Sequence, residues 1–152
     1  MTTEVSTRGQ ADAALMEAAV VGGDLEKMSP AQRVQYYMRT CESLGLNFLT
    51  KPFSYIRLNG QLTLYATKTA TDQLARSNSL TLRMVKTERV DDVYMVWAEA
   101  TDPSGRSVTN CGAVTIGTIK GDALANAMMK ALTKAYRRTT LSFVGLGWMD
   151  EL

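Results

Sequence analysis

There is no histidine in this chain, and only two cysteines and three prolines stand among its 152 residues. Without histidine, a Ser-His-Asp triad, a Cys-His pair and a His-ligated metal centre are all closed to it. Cys41 and Cys111 are far apart and lack ligand spacing, which excludes a zinc cluster or a disulfide framework and leaves reduced thiols as the expectation. No GxxxxGK[ST] stretch occurs, so a P-loop nucleotide site is excluded. The carboxylates fall in turns (Asp91, Asp92, Asp102) or singly (Glu42, Asp72, Glu99), not in the cluster a magnesium-dependent nuclease requires. No apolar run approaches membrane-spanning length, and the first residues carry acids where a secretory leader needs bases. The expectation is an intracellular protein that is not an enzyme, with no catalytic constellation, cofactor, metal or membrane.

What is present is unevenly placed positive charge. The net charge is only +2, yet residues 1–28 hold five acids against two bases, so the rest of the chain is distinctly basic. The basic character concentrates in "NAMMKALTKAYRRTTLSFVGLG", from Asn126 to Gly147. On a helical wheel with Lys130 at zero, Lys134, Arg137 and Arg138 fall at roughly 40°, −20° and 80°. Met128, Leu132, Ala135, Tyr136, Thr139 and Phe143 fall opposite them and make the expected core-facing stripe. No Asp or Glu occurs between Asp122 and Asp150, so the four cations repel one another with no acid on the helix to offset them. A polyanion is the natural partner, because Lys and Arg release condensed counterions when they meet phosphates.

The remaining elements read from local signals. "MSPAQRVQYYMRTCESLGLN" is a helix with Ser29 as N-cap, Pro30 at the first position, Gln32 completing a capping box and Gly45 as the stop. Val34, Met38, Cys41 and Leu44 are its expected buried face. "KPFSYIRLNGQLTLYAT" is a β-hairpin around Asn59-Gly60, with Tyr55, Arg57, Leu62 and Leu64 on one face and Ile56, Leu58, Thr63 and Tyr65 on the other. Tyr55 and Tyr65 suit either strand packing or a stacking platform. "TKTATDQLARSN" is a short helix, and three strands follow with the turn signals "DD" and "DPSG" between them. Connections that short require an antiparallel meander. The expected fold is α+β: helix, β-hairpin, short helix, antiparallel β-meander and a long basic C-terminal helix packed on the sheet. Residues 1–28 are expected to form a mobile or subunit-contacting arm, and residues 29–152 one domain. Trp97 and Trp148 are assigned to the core.

The segments also carry a resemblance. "LGLNFLTKPFSYIRLNGQLTLYATKTATDQLA" resembles the opening of phage single-strand annealing proteins of the RecT and Redβ type. Within it "YIRLNG...LTLYATKTATDQLA", and after it "YMVWAEATDPSGRSVTNCGAVTI" and "KGDALANAMMKALTKAYRRTTLSFVGLG", resemble in order the hairpin, meander and basic helix of the ring-forming eukaryotic annealing mediator of break repair. The resemblance implies an ATP-independent, ring- or filament-forming protein that binds single-stranded DNA and anneals complementary strands through a duplex intermediate. It implies a phage-encoded homo-oligomer working in the bacterial cytoplasm, with a phage exonuclease or a host single-strand binding protein as further partners. Carried over by residue, it gives DNA contacts at Arg57 and Tyr65 of the hairpin, Lys120 ahead of the long helix, and Arg137 with Arg138. The family's third basic helix position is Leu141 here, and Lys130 and Lys134 lie on the same helix face as the basic pair.

The mechanism expected from these residues is non-catalytic. Lys130, Lys134, Arg137 and Arg138 hold phosphates with Arg57 and Lys120 beside them, while Tyr65, together with Tyr55, stacks on sugar or bases. Backbone contacts carry no sequence information, so pairing itself supplies specificity. The competing expectation is a single-stranded DNA protector that binds without promoting pairing.

Overall fold

The computed structural model describes residues 25–150, together with Ala13 and Glu17. The expected N-terminal arm lies outside the described residues except for those two positions and residues 25–28. Contacts divide the chain into two units, which separate between Tyr65 and Ala66.

In the first unit a 3-10 turn at Leu25–Lys27 precedes helix α1, Pro30–Leu44. The capping box forms as the sequence dictates. The Ser29 hydroxyl accepts from the Gln32 amide at 3.2 Å, and the Gln32 side chain accepts from the Ser29 amide at 2.9 Å. Gly45 ends the helix with φ 69°, a left-handed cap that only glycine adopts without strain. The buried face of α1 differs from the expected one: Cys41 is fully buried, but Val34 is 58% exposed. The aromatic residues explain the rotation, since Tyr37 meets Phe53 edge-on at 5.8 Å and its hydroxyl donates to the Phe53 carbonyl at 2.9 Å. A 3-10 turn at Phe48–Thr50 leads into strand β1, Phe53–Leu58, which pairs with β2, Gln61–Ala66. Asn59 and Gly60 both take positive φ, as a two-residue turn of this kind requires.

The second unit holds helix α2, Lys68–Ser77, strands β3, Thr81–Val90, β4, Val93–Thr101, and β5, Ser107–Thr115, and helix α3, Gly121–Val144. The three strands form an antiparallel sheet in the order β3-β4-β5. Its register sets Trp97 between Lys86 and Cys111, with a bulge at Val85 between Met84 and Lys86. The β4–β5 connection is closed by Asp102, whose Oδ1 accepts from the Ser104 and Arg106 amides, both at 3.0 Å, and from the Ser104 hydroxyl at 2.7 Å. Alternation along β4 turns Val96, Ala98 and Ala100 inward, and α3 packs Ala131 and Ala135, both fully buried, on Val96 and Ala98. The fold is thus α+β, with the C-terminal helix packed on the meander.

Gly112 of β5 sets how closely helix and sheet approach. A Cβ at that position would stand 2.6 Å from the Ala131 carbonyl oxygen and 2.8 Å from the Lys134 Cβ, and closer still to the Ala135 amide nitrogen. Backbone therefore packs on backbone here, and the small residues of α3 must face the strand. After Val144, Gly145 takes φ 79° and the chain turns back. A final 3-10 turn, Gly147–Met149, follows, with Met149 only 1% exposed.

Candidate nucleic-acid interface

Helix α3 carries five of the expected contacts. Lys120 is its N-cap and is exposed, and Lys130 is exposed near the helix midpoint, about 15 Å further along the axis. The next cations behave differently. Lys134 is half-buried, and its Nζ donates to the Ala113 carbonyl at 3.4 Å. Arg137 and Arg138 fold inward to one acid: Arg137 reaches Asp150 Oδ1 at 3.3 Å and Arg138 reaches Asp150 Oδ2 at 3.1 Å. The side chains are only 11% and 19% exposed, against 4% for Asp150.

The absence of an acid along the helix, read from the sequence, is therefore made good from the following turn. Gly145 reverses the chain, Leu146 donates to the Leu141 carbonyl at 2.8 Å, and the buried Met149 pins the turn so that Asp150 comes back beside the arginines. Two guanidinium groups and one carboxylate leave a local charge of about +1 in a partly desolvated setting, where opposite charges attract more strongly than in water. The basic stripe is thus two parts: an open lysine half, and an arginine half that already holds a counter-charge.

The inward stripe also differs from the wheel. Ala135 and Thr139 are fully buried, and Leu132 and Tyr136 pack against the core cluster. Met128, however, is 40% exposed. The close approach at Gly112 selects Ala131 and Ala135 for the sheet, which rotates the helix toward its cationic side and brings Lys134 under cover. Leu141 is fully buried, so a cation there would lack a hydrated environment.

The hairpin residues belong to the first unit. Arg57 forms a bidentate pair with Glu26, at 2.8 and 2.6 Å, on an open surface where such pairs contribute little. Tyr55 packs on α1: its ring lies 6.2 Å from that of Tyr37 and its hydroxyl donates to the Arg33 carbonyl at 2.7 Å. Burial pushes the Tyr55 hydroxyl up to about 12. Tyr65 is half-buried on β2.

Three residues that matter at this end of α3 are not legible in the sequence alone. Asp150 is the missing acid. Trp148, assigned to the core, is 64% exposed. Arg106 lies with its guanidinium 5.7 Å from the ring centre of Phe143, which sets another cation beside the C-terminal end of the helix. The glycines at 145 and 147 were the available signal, because they free the chain to leave the helix and return. Trp97, by contrast, is half covered, with its indole N–H donating to Glu88 at 3.1 Å.

Among the described residues no group of three His, Cys, Asp or Glu side chains could hold a metal ion, and no helix is long and apolar enough to cross a membrane. The chain matches none of the protein-family models and none of the curated proteins with which it was compared.

Proposed function

We propose that this protein binds single-stranded DNA by its backbone and anneals complementary strands without ATP, as a phage-encoded homo-oligomer acting in recombination or repair inside a bacterial cell. The observation that carries the reading is helix α3, which bears Lys120, Lys130, Lys134, Arg137 and Arg138 and no acid after Asp122. The order of hairpin, meander and basic helix, and its resemblance to the phage and eukaryotic annealing proteins, supports the same conclusion.

In this reading Lys120 and Lys130 make the first phosphate contacts, because both are exposed. Lys134 follows from its half-buried position. Arg137 and Arg138 contribute their excess charge while holding Asp150. Arg57 and Tyr65 contribute from the hairpin, as the family resemblance implies. A strand held through phosphates keeps its pairing edges open to a second strand, and Watson–Crick pairing drives the exchange. Oligomerisation multiplies a modest number of contacts per subunit along one strand.

The test is the pairing rate of two complementary fluorescent oligonucleotides, without nucleotide or metal, over a salt series. Acceleration that fades as salt rises is the expected outcome. Binding without acceleration would make the protein a strand protector, and no binding at low salt would remove the nucleic-acid reading.

A further inference from the structure

Trp148 is the most exposed aromatic side chain among the described residues, yet it is not on a loose end. Its neighbour Met149 is 1% exposed, Asp150 is held by two arginines, and the turn is closed by the Met149 amide donating to the Leu146 carbonyl at 2.9 Å. An indole kept 64% open on an anchored turn holds a large planar apolar surface in water at a fixed place.

The surroundings say which ligand would suit it. Side chains built on Gly145 and Gly147 would meet nothing within 4 Å, so the backbone on either side of the indole is open. The other large exposed apolar residues of this unit are Met84, Val85 and Val90 on β3, Ile119 before α3, and Met128 and Met129 in its first half. None belongs to the turn that carries Trp148. A protein partner would favour a continuous apolar patch with a polar rim. A single planar aromatic two residues from the carboxylate that gathers Arg137 and Arg138 instead matches a nucleotide, with the base on the ring and the phosphate toward the excess positive charge of that cluster.

We propose that Trp148 is a base-stacking contact for single-stranded DNA, fixed in place by the Asp150 clamp. The proposal rests on the single-stranded DNA reading above and adds to it a residue that no cation count would reveal. It also gives Arg137 and Arg138 a second role, because through Asp150 they hold the turn that presents the indole and so act as positioning residues. A held ring loses little freedom on binding, which favours affinity.

The test is a fluorescence titration with oligo-dT at low salt. In Trp97→Phe the only tryptophan is Trp148, and its emission is expected to be quenched to saturation. In Trp148→Phe the quench is lost while affinity stays within about threefold, because phenylalanine still stacks. Trp148→Ala is expected to weaken binding by about tenfold and to leave the salt dependence unchanged, since an indole releases no counterion. Binding with neither quench nor loss in Trp148→Ala would overturn the stacking assignment and leave the DNA reading standing. A change in subunit assembly of Trp148→Ala, with its DNA affinity unaltered, would assign the indole to a protein contact and overturn the proposal equally. If the wild-type protein fails to bind at low salt, both readings fall together.

Discussion

The Asp150 carboxylate lies 3.1 Å from the Arg138 guanidinium, with only 4% of the acid's side chain open to solvent. Arg137 approaches the other oxygen at 3.3 Å. The sequence places these arginines on an open face, where replacing both by alanine would remove DNA binding and leave the fold intact. Their burial overturns the second half of that expectation. Removing both cations takes two ion-pair partners from a buried carboxylate, and removing the carboxylate takes the shared acid from two largely buried guanidinium groups.

Asp150→Asn is accordingly expected to lower stability by about 3 kcal/mol, the scale on which a buried ion pair is broken. Arg137→Ala with Arg138→Ala should do comparable damage. Urea unfolding measures both, and a midpoint within error of wild type in either variant would mean that the clamp contributes nothing. A loss of DNA binding by the double variant therefore needs this control before it counts as a contact.

The elements most legible in the sequence are those specified by neighbours in the chain. Ser29 with Gln32, Asn59 with Gly60, and the Asp102 turn each need a few consecutive residues, and each forms as the local chemistry requires. Which face of a helix turns inward is decided elsewhere. Hydrophobicity assigns Met128 to the core, but the contact of Gly112 with Ala131 and Ala135 selects small residues instead and leaves Met128 exposed. Val34 fails for a related reason, because Tyr37 and its partner Phe53 hold α1 in another rotation. Asp150 was not legible as a partner of Arg137 because the pairing depends on a chain reversal, and wheel arithmetic stops where the helix does.

Gly112→Ala tests the close approach directly. A methyl group at that position meets the backbone of α3, which cannot yield as a flexible side chain would. Overpacking of this kind is expected to cost about 3 kcal/mol and to lower the melting temperature by several degrees. The alanine variant of exposed Gly105 has no such contact to break, although its positive φ adds a smaller penalty. Equal melting temperatures for the two variants would argue against backbone packing as the reason for glycine at 112.

Tyr55 gives a pH dependence with a defined sign. Burial is the main cause that raises its hydroxyl from 10.0 to about 12, with nearby Tyr36 adding to it and Arg33 opposing it. Because the folded state retains the proton longer, its contribution is complete below pH 10 and is lost as pH rises from about 10 to 12. Tyr55→Phe should flatten that alkaline decline in a pH series of unfolding midpoints. Part of the decline should remain, since burial raises Tyr36 and Tyr37 as well. An unchanged profile in Tyr55→Phe would mean that this hydroxyl is not the titrating group.

Lys130 separates electrostatic contact from structural support. It is exposed on α3, so Lys130→Ala should melt at the wild-type temperature while binding single-stranded DNA more weakly. Loss of one phosphate contact reduces the salt slope of log affinity by about 1, with the same change for every oligonucleotide sequence. Lys134→Ala is the contrasting variant, because its half-buried stem and its hydrogen bond to Ala113 tie it to β5. That change should lower both melting temperature and affinity. If Lys130→Ala binds with an unaltered slope, the open lysine half of α3 does not meet phosphates, and the charge on this helix needs a different partner.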